Sequence, residues 1–262
     1  MTIGTEKSST EPSIERCEEG RAAVSGGPPS VSSTDGIEAP ADAEITDLPS
    51  VKQRESGPRV FGRLANHPDA AAVAREAHAL LFRYATEVVL ANRLCPFLHN
   101  VETGMGAVGV GLDSNPDVDE TLRVIRTLGD NVFHLVFPLF TGPSSAFERF
   151  GSKLAEALRR SFPEPLVHAS FHPDLTGGKE TPYRLIGLLR QSPDPFVQFI
   201  PPGLQSGGTV MAGEAPDGAS HAEDRFARLM GGSVDEVLAH IAELKAERER
   251  RYGELARRML AG

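Results

Sequence analysis

Between residues 64 and 204, apolar stretches with helical spacing alternate with short apolar stretches typical of β-strands. A long helix is predicted first, and three strand–helix units and a final strand follow it. The strands are predicted at 107–112, 131–137, 166–171 and 196–200. This order is typical of a layered α/β domain with right-handed crossovers. The pattern therefore predicts helices packed on a sheet of about four strands, either parallel or mixed with one antiparallel strand.

Local signals set the ends of the long first helix. Asn66 or His67 can cap it, and Pro68 suits its first turn. Pro96 disfavours the α region at the residue before it, so the helix is predicted to end at about Leu94. The cysteine at position 95 is therefore expected where the chain changes direction.

The regions outside the α/β domain differ from it in composition. Residues 1–60 hold eleven acidic and six basic residues, no aromatic residue and no sustained apolar period. Such a segment cannot bury enough apolar surface to offset the entropy lost on ordering. The chain is thus predicted to have a disordered acidic tail at 1–63, an α/β domain at 64–204, a flexible connector at 205–220 and a C-terminal helical extension at 221–262.

The C-terminal extension contains a helix with one apolar stripe. Ser233 and Glu236 have the spacing of a capping box at its start. The stripe is formed by Val234, Val237, Ile241 and Leu244. Because the repeat is shorter than a coiled coil needs, the helix is expected to pack on its own domain. The alternative is a homo-oligomer formed through the C-terminal helix.

Composition and charge argue against several kinds of partner. The net charge is −9 and no basic stripe is interleaved with aromatic residues, so no nucleic acid is expected to bind. The longest nearly apolar run, at 133–140, is too short to cross a bilayer, so no membrane partner is expected. The tail lacks the apolar region of a secretory signal, and Cys17 and Cys95 give no disulfide framework. These features predict a cytoplasmic protein.

The predicted strand at 166–171 runs directly into His172, Pro173 and Asp174. Loops at the ends of strands build the sites of α/β folds, and Asp174 could orient His172 and favour its protonated form. This arrangement is typical of a general acid–base pair. The alternative is that His172 only caps the strand while Asp174 closes an Asx turn.

The next predicted helix follows a pair of glycines. Gly177 and Gly178 permit the close approach of a ligand or of another backbone segment. Thr181 and Pro182 then open the helix, whose free N–H groups and positive dipole end favour an anion. Arg190, near the end of this helix, is a second candidate contact for a small anionic ligand.

Cys95 has two opposing interpretations. The exit of a helix is its negative end, which holds a thiol protonated, whereas Arg93 and His99 are near enough in sequence to favour the thiolate. Buried free cysteine is also common as a small apolar residue. Cys95 is therefore either a reactive thiol or part of the core.

The position of Cys95 relative to His172 depends on the direction of the first helix. If that helix is antiparallel to strands that run parallel with 166–171, it ends at the opposite end of the sheet from His172. The connection at 96–106 is long enough to carry Phe97 back to the His172 rim. If instead the 107–112 strand is antiparallel, the separation disappears.

Metal ligation has little support in the sequence. No pair of residues has zinc-finger or HExxH spacing, and His134, in the middle of an apolar strand, is predicted to be a core histidine with a hydrogen-bond partner. His168, Ser170 and His172 share one face of a strand, and with Cys95 or His99 they form a weak metal-site alternative. We predict no metal site and no cofactor.

Three separated segments resemble an uncharacterised bacterial family, the domain of unknown function numbered 1415. "RLCPF" at 93–97, "SFHPDL" at 170–175 and "TPYRLIGLLRQ" at 181–191 are similar to the family's "NLCPF", "SFHPDY" and "SPYPMLHLLRE", in the same order. The resemblance covers roughly residues 78–204. It implies that the family's site includes Cys95, Pro96, Phe97, His172, Pro173, Asp174, Pro182, Tyr183 and Arg190.

The chain departs from the family pattern at two positions. Gly187 stands where the family tends to have a histidine, and Gln191 stands where it tends to have a glutamate. If that histidine is a metal ligand or a base in the family, this chain has lost it. The resemblance implies no particular reaction.

Together these features predict an enzyme that acts on a small anionic molecule. His172 would act as general acid–base oriented by Asp174, and Cys95 would be a nearby nucleophile or redox group. Arg190 would hold the anion, and the resemblance adds Tyr183 and Phe97 as substrate contacts. The alternatives are a non-catalytic binding or scaffold domain and a protein that binds metal through His172.

Overall fold

The structure is a computed structural model. It describes residues 57–95, 98–129, 132–160, 166–201 and 221–262. Three sequence predictions lie outside these ranges: the acidic tail up to residue 56, the connector at 205–220 and the role of Phe97.

Five strands form one mixed sheet. They are β1 (Arg59–Phe61), β2 (Ala107–Gly111), β3 (Phe133–Val136), β4 (Val167–Phe171) and β5 (Phe196–Ile200). They lie in the order β1-β2-β3-β5-β4, and β5 is antiparallel to both of its neighbours while the β1–β2 and β2–β3 pairs are parallel. The layered α/β fold with a mixed sheet is thus confirmed.

Eight α-helices and two π-helical segments are described in the ranges above. The α-helices are α1 (Ala70–Arg83), α2 (Val101–Gly104), α3 (Val118–Leu128), α4 (Ser144–Arg159), α5 (Pro182–Leu189), α6 (His221–Met230), α7 (Val234–Arg248) and α8 (Glu254–Ala261). One π-helical segment, Tyr84–Leu90, continues α1, and the other, Glu249–Gly253, joins α7 to α8. The first helix thus ends a few residues before the predicted Leu94.

The two faces of the sheet are covered by different helices. Phe133 and Leu135 of β3 pack with α3 and α4, whereas Val136 of the same strand packs with α1, α5, α7 and α8. This alternation follows from the two-residue period of a strand. We refer to the two sides as the α3–α4 face and the α1 face.

The crossovers do not all have the same hand. β1, β2 and β3 lie side by side in chain order, yet α1 connects the first pair on one face and α3 connects the second pair on the other. When two connections between parallel strands move in the same direction across a sheet but pass over opposite faces, they have opposite hands. The prediction of right-handed crossovers is therefore wrong for one of them.

The α/β domain begins earlier than the predicted residue 64. β1 starts at Arg59, inside the predicted tail, and pairs with Gly109, Val110 and Gly111 of β2. A strand of three residues is too short to show a period of two, which explains why the sequence pattern did not reveal it.

The C-terminal helix packs on its own domain. The predicted stripe at Val234, Val237, Ile241 and Leu244 is buried in the same apolar cluster as α1. Four ion pairs join the first helix, with the residues next to it, to the C-terminal helices α7 and α8 and the π-helical segment between them. In antiparallel order they are Asp69–Arg258, Glu76–Arg251, Arg83–Glu247 and Glu87–His240. The stripe is thus not open to a second copy of the chain. No helix of the described residues is long and apolar enough to cross a membrane.

Candidate functional site

Three loops meet at one end of the neighbouring strands β3, β5 and β4. They are residues 137–143 after β3, 172–181 after β4 and 190–195 before β5. His172 joins all three, because its backbone N–H donates to the Arg190 carbonyl at 3.2 Å and its ring Nε2 lies 3.2 Å from the Gly142 carbonyl. We call this region the His172 rim.

The imidazole of His172 is buried and both of its nitrogens are engaged. Nδ1 accepts the backbone N–H of Asp174 at 3.1 Å, so the proton lies on Nε2 and is donated to the Gly142 carbonyl. Burial lowers the pKa of His172, although the charge of Asp174 opposes this effect. The rings of Phe140 and Phe147 each lie 5.9 Å from the imidazole. The geometry therefore favours a neutral, structural histidine.

The contact between His172 and Asp174 differs from the predicted acid–base pair. Asp174 is bound to His172 through its backbone N–H, and its side chain is exposed. A turn closes around the pair, because the Leu175 N–H donates to the His172 carbonyl at 3.1 Å. This geometry corresponds to the alternative interpretation, a side-chain-capped turn.

The same tripeptide occurs earlier in the chain and folds in the same way. At the start of α1, the Asp69 N–H donates to Nδ1 of His67 at 3.1 Å, and the Ala70 N–H donates to the His67 carbonyl at 2.9 Å. The repeat of "HPD" at 67–69 and 172–174 was the sequence signal that this motif is a local turn.

Arg190 lies at the rim, and the described residues provide no ion-pair partner for it. Its guanidinium carbon is 5.6 Å from the centroid of the Phe171 ring, which stacks in turn on Phe196 at 4.1 Å. The Tyr84 hydroxyl donates to the carbonyl of Leu189 and so fixes the residue before Arg190. Burial lowers the pKa of Arg190. Among the described residues, no carboxylate lies within ion-pair distance of this guanidinium.

A second arginine beside the rim has a complete set of partners, which the sequence reasoning missed. Nε of Arg248 donates to Asp194 Oδ1 at 3.0 Å and Nη2 donates to the Pro138 carbonyl at 2.7 Å. The Tyr252 hydroxyl donates to the other oxygen of Asp194. Burial raises the pKa of Asp194, whereas the charge of Arg248 opposes this effect. The cluster attaches the C-terminal helices to the rim.

Two further contacts hold the loops of the rim. Lys245 of α7 donates to the Pro173 carbonyl at 2.6 Å, and Gln191 donates to the Leu175 carbonyl at 2.7 Å. A glutamate at position 191, as in the family pattern, could not donate this bond when ionised. A cavity of about 10 Å³ lies beside Asp194, which is room for about one water molecule.

Cys95 does not join His172. Cys95 packs against the apolar cluster of the α1 face, whereas the His172 ring contacts Phe147 on the α3–α4 face. The chain before Cys95 turns at Arg93, whose φ is +51°, and the Leu94 N–H donates back to the Val89 carbonyl at 2.8 Å. This is the Schellman end of a helix, with arginine where glycine is usual. The contacts of the two predicted groups are thus on opposite faces of the sheet.

The two predicted anion contacts of α5 lie at opposite ends of that helix. Tyr183 is 82% exposed in its first turn, where the Thr181 side chain accepts the Arg184 N–H. Arg190 follows the last residue, and eight residues at 1.5 Å each separate the two ends by about 12 Å. The first turn of α5 and the backbone of Arg190 are therefore not adjacent.

Gly187 allows α5 to pack closely on the loop before it. A Cβ atom at this position would lie 2.2 Å from the Thr176 carbonyl oxygen. The histidine of the family pattern would not fit here without a shift of the backbone. Gly187 is therefore a packing requirement of this chain.

The histidines provide no metal cluster in the described part of the chain. No group of three or more His, Cys, Asp or Glu residues there could hold an ion. The predicted role of His134 is confirmed, because it is buried and its Nδ1 lies 2.8 Å from the Met105 carbonyl. His168 stacks on Phe199 at 5.9 Å. Both nitrogens of His172 are already engaged with backbone groups.

Comparison with known proteins gives no assignment: no family model, no curated protein and no solved structure matches this chain. The resemblance of its three motifs to the uncharacterised family stays a prediction.

Proposed function

We propose that this domain binds a small anionic ligand at the His172 rim, and that Arg190 contacts the anion. The observation that carries the proposal is the contrast between Arg190 and Arg248. Arg248 is bound to Asp194 and to a backbone carbonyl, whereas Arg190 has no ion-pair partner in the described ranges. Arg83, another partly buried arginine, is also paired, with Glu87 and Glu247.

A partly buried arginine without a counter-ion is suited to an external anion. Burial removes water from the guanidinium, and a carboxylate or phosphate restores the lost hydrogen bonds in a planar, bidentate geometry. Phe171 supports one side of the group by a cation–π contact. Among the described residues, no hydrogen bond to the guanidinium of Arg190 is found.

Binding is better supported than acid–base catalysis. The His172 imidazole has no free nitrogen, and Cys95 lies on the other face of the sheet. The function that fits these contacts is the non-catalytic alternative, in which His172 and Asp174 build the rim.

We extend the proposal to location and family. The acidic composition of the chain and its two cysteines support a cytoplasmic location. Two of the three motifs shared with the uncharacterised family, "SFHPD" and "PY" with "LLR", form the rim. We therefore propose membership of that family and a ligand site at the same position in its members.

Thermal unfolding of the full chain with a panel of carboxylates and inorganic phosphate tests the proposal. A ligand at a hundred times its Kd stabilises the native state by about 2.7 kcal/mol. We expect at least one anion to raise the Tm of the natural protein but not that of Arg190→Gln. Arg184→Gln is the matched control, because Arg184 is on the same helix, is exposed and, within the described ranges, pairs with Glu180 and a loop carbonyl.

Two results would contradict the proposal. One is that Arg190→Gln responds to the same anions as strongly as the natural protein does. The other is that no anion of the panel stabilises the natural protein. Circular dichroism of both variants checks that each of them is folded.

A further inference from the structure

We infer that two copies of this chain pair through the outer edge of β4, so that their sheets join and their α4 helices pack side by side. Among the described strands, β4 is the last in the sheet and pairs with β5 alone. Its five residues are all half-buried, whereas those of β3 are all buried. An open strand edge is a template for a further strand. The inference is independent of the anion site.

The backbone groups on the outer edge of β4 follow from the register of the sheet. Phe137 donates its N–H to the Pro195 carbonyl, one position beyond the β3–β5 register. Bonded pairs recur every second residue in an antiparallel ladder, so the odd-numbered residues of β5 bond to β3 and the even-numbered ones bond to β4. The even-numbered residues of β5 lie opposite the odd-numbered residues of β4. The N–H and carbonyl groups of His168 and Ser170 therefore point outward.

The open part of this edge is short and has a defined end. Beyond Ser170, the His172 N–H already donates to the Arg190 carbonyl at 3.2 Å, so further pairing is limited to β4 itself. A two-fold axis at Ala169 places His168 of each copy opposite Ser170 of the other. Each such pair then exchanges both of its N–H···O bonds, as in any antiparallel ladder.

The helix α4 lies along this edge on the α3–α4 face and runs antiparallel to β4. Its Phe147 ring is 5.9 Å from the His172 ring. A Cβ atom on Gly151 would lie 2.5 Å from Ser170 Oγ and 3.5 Å from Val197 Cγ2. Ser170 and Val197 are register partners, so α4 lies over the β4–β5 pair at this point. With strands about 4.8 Å apart, the α4 axes of the two copies come about 10 Å apart, a normal distance for packed helices.

One side of α4 faces the open edge of β4. It carries Glu148, Ser152 and Arg159, which recur at helical spacing and are all exposed. The residues that contact the sheet separate this side from Phe150, whose ring lies 5.2 Å from the ring of Phe137, directly after β3. Because β3 lies inward of β5 and β4 in the sheet, Phe150 marks the inner side of α4 and Glu148 marks the outer side.

The charges on this outer side are complementary under the two-fold axis. Ser170, beside Gly151, is one strand residue or about 3.3 Å from the axis, which corresponds to about two residues of α4. The axis thus crosses α4 about midway between Glu148 and Arg159. Glu148 of each copy therefore lies opposite Arg159 of the other, an attractive contact that favours a second copy as the partner. Arg159 is available for this contact, because its pair with Glu156 is largely exposed.

Sedimentation velocity of the full chain over a range of concentrations tests the inference, and we expect a dimer. Arg159→Glu and Glu148→Arg each place like charges opposite each other at both ends of the interface, so each should raise the dimer Kd at least about tenfold. The double variant restores opposite charges and should return the Kd to within about threefold of that of the natural protein. Lys153→Glu is the matched control, because Lys153 is exposed on the same helix, one turn after Phe150 on the inner side.

Amide hydrogen exchange locates the paired strand. The amides of His168 and Ser170 should exchange more slowly above the dimer Kd than below it. A chain that stays monomeric up to about 1 mM would overturn the inference, whether or not an anion binds at the rim. A dimer that Arg159→Glu weakens no more than Lys153→Glu does, or one that leaves both amides unprotected, would show that another surface is used. Circular dichroism checks that each variant is folded.

Discussion

The backbone N–H of Asp174 donates a hydrogen bond to Nδ1 of His172 at 3.1 Å, and this bond requires Nδ1 to be unprotonated. A protonated imidazole has no lone pair at Nδ1 and would break the bond. The other nitrogen, Nε2, is hydrogen-bonded to the Gly142 carbonyl. Proton transfer by His172 would therefore require one of these two hydrogen bonds to break.

Substitution of His172 distinguishes a structural from a chemical role. His172→Ala removes a buried ring and leaves the Asp174 N–H unpaired, so we expect unfolding free energy to fall by about 2–4 kcal/mol. An asparagine can accept the same N–H in an Asx turn, so His172→Asn should recover about 1 kcal/mol of that loss. Urea unfolding measures both values.

Ligand binding by the same variants completes this prediction. The anion that stabilises the natural protein should still stabilise His172→Asn. A folded His172→Asn protein that no longer binds would show that the imidazole takes part in recognition. His67→Ala is the control, because His67 makes the same turn at a less buried position and its loss should cost about 1 kcal/mol or less.

The ion pair of Arg248 and Asp194 should couple the C-terminal helix to the rim. Arg248→Met leaves a buried carboxylate without its cation, and we expect unfolding free energy to fall by about 3–5 kcal/mol. Asp194→Asn in the same chain removes the uncompensated charge and should restore part of the loss. Urea unfolding of both single variants and the double variant gives the coupling energy, and purely additive effects would contradict the prediction.

The sequence predicts the layers of this fold much better than the contacts between them. The sequence predicts four of the strands and the stripe of the C-terminal helix, because each has a local apolar run or period that burial imposes. Asp194 and Arg248 are 54 positions apart, and neither has a local signal that names the other. The alternation of helices and strands along the chain also does not determine the order of the strands in the sheet. The sequence therefore does not predict that Cys95 and His172 pack on opposite faces.

Gly187 should tolerate no side chain, although it lies inside a helix. Alanine normally stabilises a helix interior by up to about 1 kcal/mol relative to glycine. Here the new Cβ would lie 2.2 Å from the Thr176 carbonyl oxygen, so Gly187→Ala should instead lower unfolding free energy by about 2–3 kcal/mol. Gly232→Ala is the matched control, because a Cβ there has no atom within 4 Å. Equal stability of the two variants in urea would contradict the packing interpretation.

Acid should destabilise the protein through His134. Burial lowers the pKa of His134 from its ordinary value of 6.5 to about 4, so below pH 6.5 the unfolded chain binds a proton that the folded chain excludes. Stability due to this group is complete above pH 6.5 and is lost as the pH falls toward 4. By pH 4.5 the loss is on the order of 2–3 kcal/mol.

The variant His134→Gln isolates this contribution from the other histidines. Glutamine does not titrate and can still donate to the Met105 carbonyl, to which the Nδ1 of His134 is bonded. Its unfolding free energy should therefore fall less between pH 7.5 and pH 4.5 than that of the natural protein. His78, His168 and His172 also have pKa values lowered by burial, so a smaller acid dependence should remain in the variant. Urea unfolding at both pH values tests this, and an unchanged difference would show that His134 is not the group responsible.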